Sequence, residues 1–345
     1  MAIGTPPRPS EAGAKRAGLA RRSSFLLLGL VVLGLAVLAS IAFGSHPTSL
    51  SEVVAVLNGT ADPDITTVVE SRYPRTALGL LAGLCLAVAG TLMQGVTRNP
   101  LADPGLLGIT AGASAGIVTA TAFLGATGQW AAVWWALAGA LVAGVVVHVI
   151  GAVGSGSGLV RLVLAGAVVS AVLGAYVQAV ALSKPQVFDS YRYWVVGALG
   201  GRDVDVLMSV LPAAVAGLVL AVLLSSGLNT LALGDESASA LGANPALTRS
   251  GGLLAAVLLS TAATAAVGPI AFVGLAVPHM VRALVGIDFR VQIVFSAVIG
   301  PALLLLADVV GRLVLRPQEL MVGVVTAFIG APALLLAVRR MKGTS

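Results

Sequence analysis

Charge is scarce in this 345-residue sequence. Only 10% of its residues are Asp, Glu, Lys or Arg, against about 25% in ordinary soluble domains. There is one cysteine, Cys85, so no intrachain disulfide can form. No GxxxxGKS or GxxxxGKT loop is present, which excludes nucleotide binding by that route. There is no HExxH pair, and His46, His148 and His279 are far apart, so no metal site is indicated. Proton- and ion-coupled carriers need ionisable groups inside their spans. Here the nearest candidate is Asp308, and pairing with Arg312 one turn on accounts for it.

What the chain has in quantity is apolar surface and glycine. Hydrophobic residues make up 58% of it, and the mean hydropathy is +1.01. These values predict an all-α polytopic membrane protein. At roughly 20 residues per crossing the length accommodates about ten transmembrane helices. They are expected near 25–43, 76–94, 105–123, 131–150, 160–182, 204–224, 251–267, 269–285, 291–311 and 320–338. The 42 glycines exceed the average of about 7% and suit close helix packing in lipid.

Residues 72–116 form the clearest local pattern. Arg72 and Arg75 mark a water-facing edge, and an apolar run follows to Met93. Gln94 to Asp103 is a polar break. Asn99-Pro100 cannot easily continue a helix. Asp103-Pro104 restarts one, with Asp as N-cap and Pro at the first helical position. Gly79 with Gly83, and Gly112 with Gly116, are small-xxx-small pairs that predict close backbone contact.

Residues 1–24 read as a disordered basic tail, and 25–341 as one membrane domain. Residues 44–71 are polar and read as an outer segment. The segment 225–250 reads as a loop holding a short capped helix, Asp235 to Gly242. Ten spans put both termini on one side. Thirteen of the 20 lysines and arginines fall on that side and seven on the other. The positive-inside rule therefore places both termini in the cytoplasm, with Trp130, Trp134 and Trp135 near the outer boundary. The basic balance of +6 reflects such anchoring residues rather than nucleic-acid binding.

The order RxPR, GxxLAxxG, Gln94, RNPLADPGLLG resembles the permease subunits of bacterial ABC importers for iron–siderophore complexes, haem and vitamin B12. The likeness resumes at YWVVGALGG (193–201), LGDESASALG (233–242), GPIAFVGLAVPHMVR (268–282), LLLLADVVGR (303–312) and ELMVGVVTAFIGAPALLL (319–336). Met321 departs from it, where the family often has proline.

The resemblance implies the type II ABC importer permease architecture in a bacterial cytoplasmic membrane. A second permease chain, identical or paralogous, would form the pathway at a dimer axis. The other partners would be two cytoplasmic ABC ATPase subunits and an extracytoplasmic substrate-binding protein. This chain would bind no cofactor and catalyse no reaction, with ATP and magnesium on the ATPases. The resemblance assigns Gly234, Asp235, Glu236, Ala238, Leu241 and Gly242 to coupling helices that dock on the ATPase. Arg72, Arg75 and Arg312 are assigned to binding-protein docking, where an arginine fork suits partner glutamates. Gln94, Asn99, Pro100, Leu101, Asp103, Pro104 and Gly105 are assigned to a hairpin lining the pathway near the cytoplasmic gate. Segment 187–203 would lie at the outer mouth. The substrate this favours is an iron–siderophore complex, with haem or cobalamin as alternatives. Rival classes are an ion-coupled secondary transporter and an intramembrane enzyme. For the first, intramembrane ionisable groups are largely missing here, and for the second no convergent nucleophile, base or metal set is visible.

Overall fold

A computed structural model describes residues 11–152 and 158–342. Its helices are α1 (Glu11–Ala42), α2 (Leu50–Leu57), α3 (Pro63–Glu70), α4 (Arg72–Thr97), α5 (Ile109–Phe123), α6 (Gln129–Ala152) and α7 (Gly158–Ser183). They continue with α8 (Pro185–Trp194), α9 (Val204–Leu231), α10 (Asp235–Ala240), α11 (Pro245–Val267), α12 (Val273–Val285), α13 (Phe289–Val314) and α14 (Val322–Lys342). A 3-10 turn, Pro104–Leu107, precedes α5. No strand occurs among the described residues.

Among the described residues, seven helical segments are long and apolar enough to cross a membrane. Three shorter apolar helices, Ile109–Phe123, Val273–Val285 and Val322–Pro332, stand at the remaining expected positions. Helix α1 begins at Glu11, inside the segment read as a tail, while 1–10 lie outside the described residues. The Ala-, Lys- and Arg-rich stretch from Glu11 to Arg22 favours that helix. The polar segment 44–71 also contains two helices. Ser49 and Glu52 form a reciprocal capping box on α2, and the Asp62 side chain caps α3 ahead of Pro63.

Helix α4 is the centre of the bundle, packed on α11, α12 and α13. Glycines permit this. A Cβ on Gly90 would lie 1.8 Å from the Gly274 carbonyl oxygen, so α4 and α12 touch backbone to backbone. The paired glycines read from the sequence do the same elsewhere. A Cβ on Gly83 would meet the Gly300–Pro301 backbone, and Gly112 and Gly116 both lie against Gly139. Only Gly79 faces a side chain, that of Leu305. Between α11 and α12 the chain breaks at Gly268 (φ 78°) and Phe272 (φ 70°), which fixes two helices there rather than one bent one. On the periphery, α9 turns leucines and valines outward, as lipid contact requires.

Candidate functional site

The hairpin after α4 folds back into the bundle. Helix α4 runs to Thr97, three residues beyond the expected boundary, so Gln94 lies inside the helix and is buried. Its amide Nε2 donates to the Leu275 carbonyl at 3.3 Å, while Oε1 has no partner. Arg98 then takes a left-handed conformation (φ 50°) and ends the helix. Asn99 accepts from the Leu101 amide at 3.0 Å in a local turn. Asp103 caps the next turn through the Gly105 amide at 2.7 Å, with Pro104 first in the turn. The cap is the one the sequence predicts, but it opens a 3-10 turn and not a full helix.

The position of this turn is unexpected. A Cβ on Gly274 would lie 3.1 Å from both the Leu86 carbonyl oxygen and Pro104 Cδ, and 3.4 Å from Asp103 Oδ2. Gly274 packs along α4 between Leu86 and Gly90. Gly90 is seven residues before Thr97, or about 10 Å at 1.5 Å per residue. The segment read as a polar break between two spans is therefore re-entrant, and it leaves only 15 residues for α5. Irregular backbone at membrane depth is tolerated where protein buries it or where it lines a cavity. Leu101, Gly105 and Leu106 remain exposed on it, so this backbone borders an open side of the chain.

At one end of the bundle stands a charged network. Arg75 donates from Nε and Nη2 to the two oxygens of Asp308, at 3.0 and 2.8 Å, and from Nη1 to Glu319 at 2.7 Å. Arg312 Nη2 lies 2.8 Å from Asp308 Oδ2, the one-turn pair expected from sequence. Arg312 Nη1 also donates to the Ser40 and Phe43 carbonyls, and Arg72 Nη1 and Nη2 donate to the Ile41, Ala42 and His46 carbonyls. This corrects the picture of three surface arginines. Arg72 and Arg312 are buried and Arg75 nearly so, because each satisfies carbonyls at the end of α1 or the Asp308 carboxylate. Glu319 belongs to the same network. Burial pushes its carboxyl up, but the Ser45 hydroxyl and Arg75 outweigh this and hold it below the usual range.

These groups line a crevice of about 410 Å³ with His46, Gly200, Arg202 and Asp203. Arg202 also borders a second crevice with Gln129, Trp194 and Met321. From sequence, Arg202 falls in the outer-mouth segment 187–203 but has no docking role of its own. Its only signal is a charge following the glycine pair Gly200-Gly201. Segment 187–203 is α8 followed by irregular chain, with Trp194 buried and Phe188 exposed.

The opposite end carries α10. Gly234 (φ 110°) precedes it and Gly242 (φ 81°) follows, so both boundary glycines occupy backbone that favours their type. Ala238 is buried, while Leu233, Leu241, Leu247 and nearby Ile287 are exposed. Asp235 bridges Arg98 and Arg249, tying α10 to the α4 hairpin and to α11. Slight burial raises the Asp235 carboxyl, and the two arginines outweigh it and hold it below the usual range. Glu236 is exposed beside it. Of the expected coupling residues, Asp235 is thus joined to the start of the hairpin by one direct ion pair, while Arg72, Arg75 and Arg312 form a separate cluster.

The chain matches the FecCD transport family over residues 31–340. It is 47% identical over 314 residues to the ferric enterobactin transport system permease protein FepD of Escherichia coli, covering 90% of this chain and 93% of that one. The hemin transport system permease protein HmuU of Yersinia pestis is 34% identical, covering 92% and 96%. A solved structure described as an inward-facing metal-chelate type ABC transporter superposes with TM-score 0.81 at 26% identity, covering 92% of this chain and 99% of that one. On these matches, the chain belongs to the FecCD transport family of membrane permeases.

Proposed function

We propose that the chain is the transmembrane permease subunit of an ABC importer and moves an iron–siderophore complex across the cytoplasmic membrane. The observation that carries this reading is the similarity, over 90% of this chain, to a ferric enterobactin permease. Two permease chains enclose the path, and ATP and magnesium act on two separate ATPase subunits. The termini lie in the cytoplasm. The end of the bundle with α10 then faces the ATPases and offers Leu233, Leu241 and Ile287 as its apolar contacts. The ion pairs of Asp235 connect α10 to the start of the re-entrant hairpin through Arg98 and to α11 through Arg249, so ATPase closure can be passed to both. The hairpin Asn99 to Gly105 borders the pathway, and its movement opens or closes the inner side. An extracytoplasmic binding protein docks at the arginine crevice, where Arg202 presents its charge beside the Arg75–Asp308–Glu319 network. The permease stabilises inward and outward states differentially and forms no covalent intermediate.

Uptake in a strain deleted for this gene tests the reading, with radio-iron siderophores compared against labelled haem and cobalamin. Loss of one iron chelate, restored by the intact gene, is the expected result. Selective loss of haem or cobalamin keeps the importer and overturns the substrate. Wild-type uptake of all of them removes the siderophore assignment.

A further inference from the structure

A third cavity lies outside the pathway hairpin and both charged clusters. It is a groove of about 540 Å³ between α1, α12, α13 and α14, and its walls are apolar, with Leu28, Met280, Leu306 and Ile329 among them. That volume lies within the roughly 300–1,000 Å³ usual for a small-ligand site. Phe25 and Leu284 also line it. The Arg21 guanidinium stands 5.7 Å from the Phe25 ring centroid, and its Nη2 donates to the Leu284 carbonyl at 3.2 Å. Arg22 Nη2 donates to the neighbouring Val285 carbonyl at 3.4 Å. Two exposed cations are thus held on the last carbonyls of α12, Arg21 on the groove residues Phe25 and Leu284 and Arg22 on the adjacent Val285. Each guanidinium has further N–H donors, and arginine is suited to bidentate phosphate contact.

An apolar groove in a membrane bundle with two fixed cations at one end has the chemistry of a lipid with a negatively charged headgroup. We propose that the groove holds an acyl chain of an anionic phospholipid, with its phosphate on Arg21 and Arg22. Both the groove and the arginines belong to this chain alone, so the site needs no other subunit. Charge complementarity selects the lipid over a second copy of the chain, whose matching surface would have to present an anion there.

Native mass spectrometry of the full-length purified chain tests this, with phosphatidylglycerol and phosphatidylcholine as probes and monodisperse elution required of every variant. The chain is expected to retain phosphatidylglycerol preferentially. A basic residue near a membrane surface is worth about fivefold in anionic-lipid affinity, so the R21Q/R22Q variant should lose roughly 30-fold. Phosphatidylcholine retention should be unchanged in that variant. Arg290→Gln, which alters another exposed arginine, should leave both lipids unaffected, and Ile329→Trp, which fills the groove, should weaken both. Equal retention of the two lipids by the parent chain overturns the proposal, as does an equal loss in Arg290→Gln. If Ile329→Trp breaks a dimer while lipid retention persists, the groove is an interface between copies and the lipid assignment is wrong.

Discussion

Asp308 is 1% exposed, and Arg75, 233 positions away in sequence, holds both of its carboxylate oxygens at 2.8 and 3.0 Å. A carboxylate this deep requires a fully bonded partner, and the fork of Arg75 provides it. The pair joins the start of α4 to the far half of α13. Through Arg312 it also reaches the end of α1.

Removing one partner of a buried pair leaves the other charge unmatched, at about 3–5 kcal/mol. Asp308→Asn should therefore lower the melting temperature of the purified chain in detergent strongly. An unchanged melting temperature contradicts the account of this network. For the same reason Arg75→Glu is a poor test of docking, because it sets a third carboxylate beside Asp308 and Glu319. Arg202→Glu is the cleaner probe. It should weaken binding-protein affinity while the melting temperature holds.

Glu319 predicts a direction with pH. Its carboxyl is held below its ordinary value in the folded chain by the Ser45 hydroxyl and Arg75 against the opposing effect of burial. Its contribution is present above the unfolded value and is lost as pH falls through the lower folded value. Thermal stability should fall below about pH 4.5, and part of that fall should be absent in Glu319→Gln. Identical pH profiles for the two chains would remove Glu319 from the stabilising network.

The Gly90–Gly274 contact predicts a contrast between two glycines. Gly90→Ala must displace backbone, since the new Cβ would sit 1.8 Å from a carbonyl oxygen. A loss of about 1–3 kcal/mol or more is expected. Gly34→Ala on α1 meets nothing within 4 Å and should gain up to about 1 kcal/mol from helix propensity. Melting curves for both variants check this.

Asp235→Ala separates coupling from folding. The pairs with Arg98 and Arg249 are half-exposed, so the stability loss should be within about 1 kcal/mol. Substrate uptake should fall at least tenfold while expression and ATPase association persist. Uptake at the parental rate contradicts the coupling role of α10.

Much of this is legible in the sequence because the relevant signals are local. Apolar runs locate the bundle, Asp103-Pro104 marks a cap, and the glycine pairs at Gly83 and Gly112–Gly116 foretell close contacts. Ser49 and Glu52 carry a capping-box pattern that goes with α2, yet surrounding polarity makes the region read only as a polar outer segment. The re-entrant hairpin is not legible. Its depth is set by Gly274, about 170 residues on, and by space beside α4 that no local pattern reports. The burial of Arg72 and Arg312 is hidden for the same reason. Arginines beside an apolar run read as water-facing, whereas their partners are carbonyls at the end of a distant helix.

The central claim is that the chain conducts an iron chelate using energy from ATPase partners. Its most direct test is uptake of a radio-iron siderophore into proteoliposomes holding the chain, its ATPase subunits and its binding protein. The account predicts uptake that requires ATP and all partners and persists when ionophores collapse the ion gradients. Uptake by the chain alone, abolished by those ionophores and indifferent to ATP, would make it a secondary transporter.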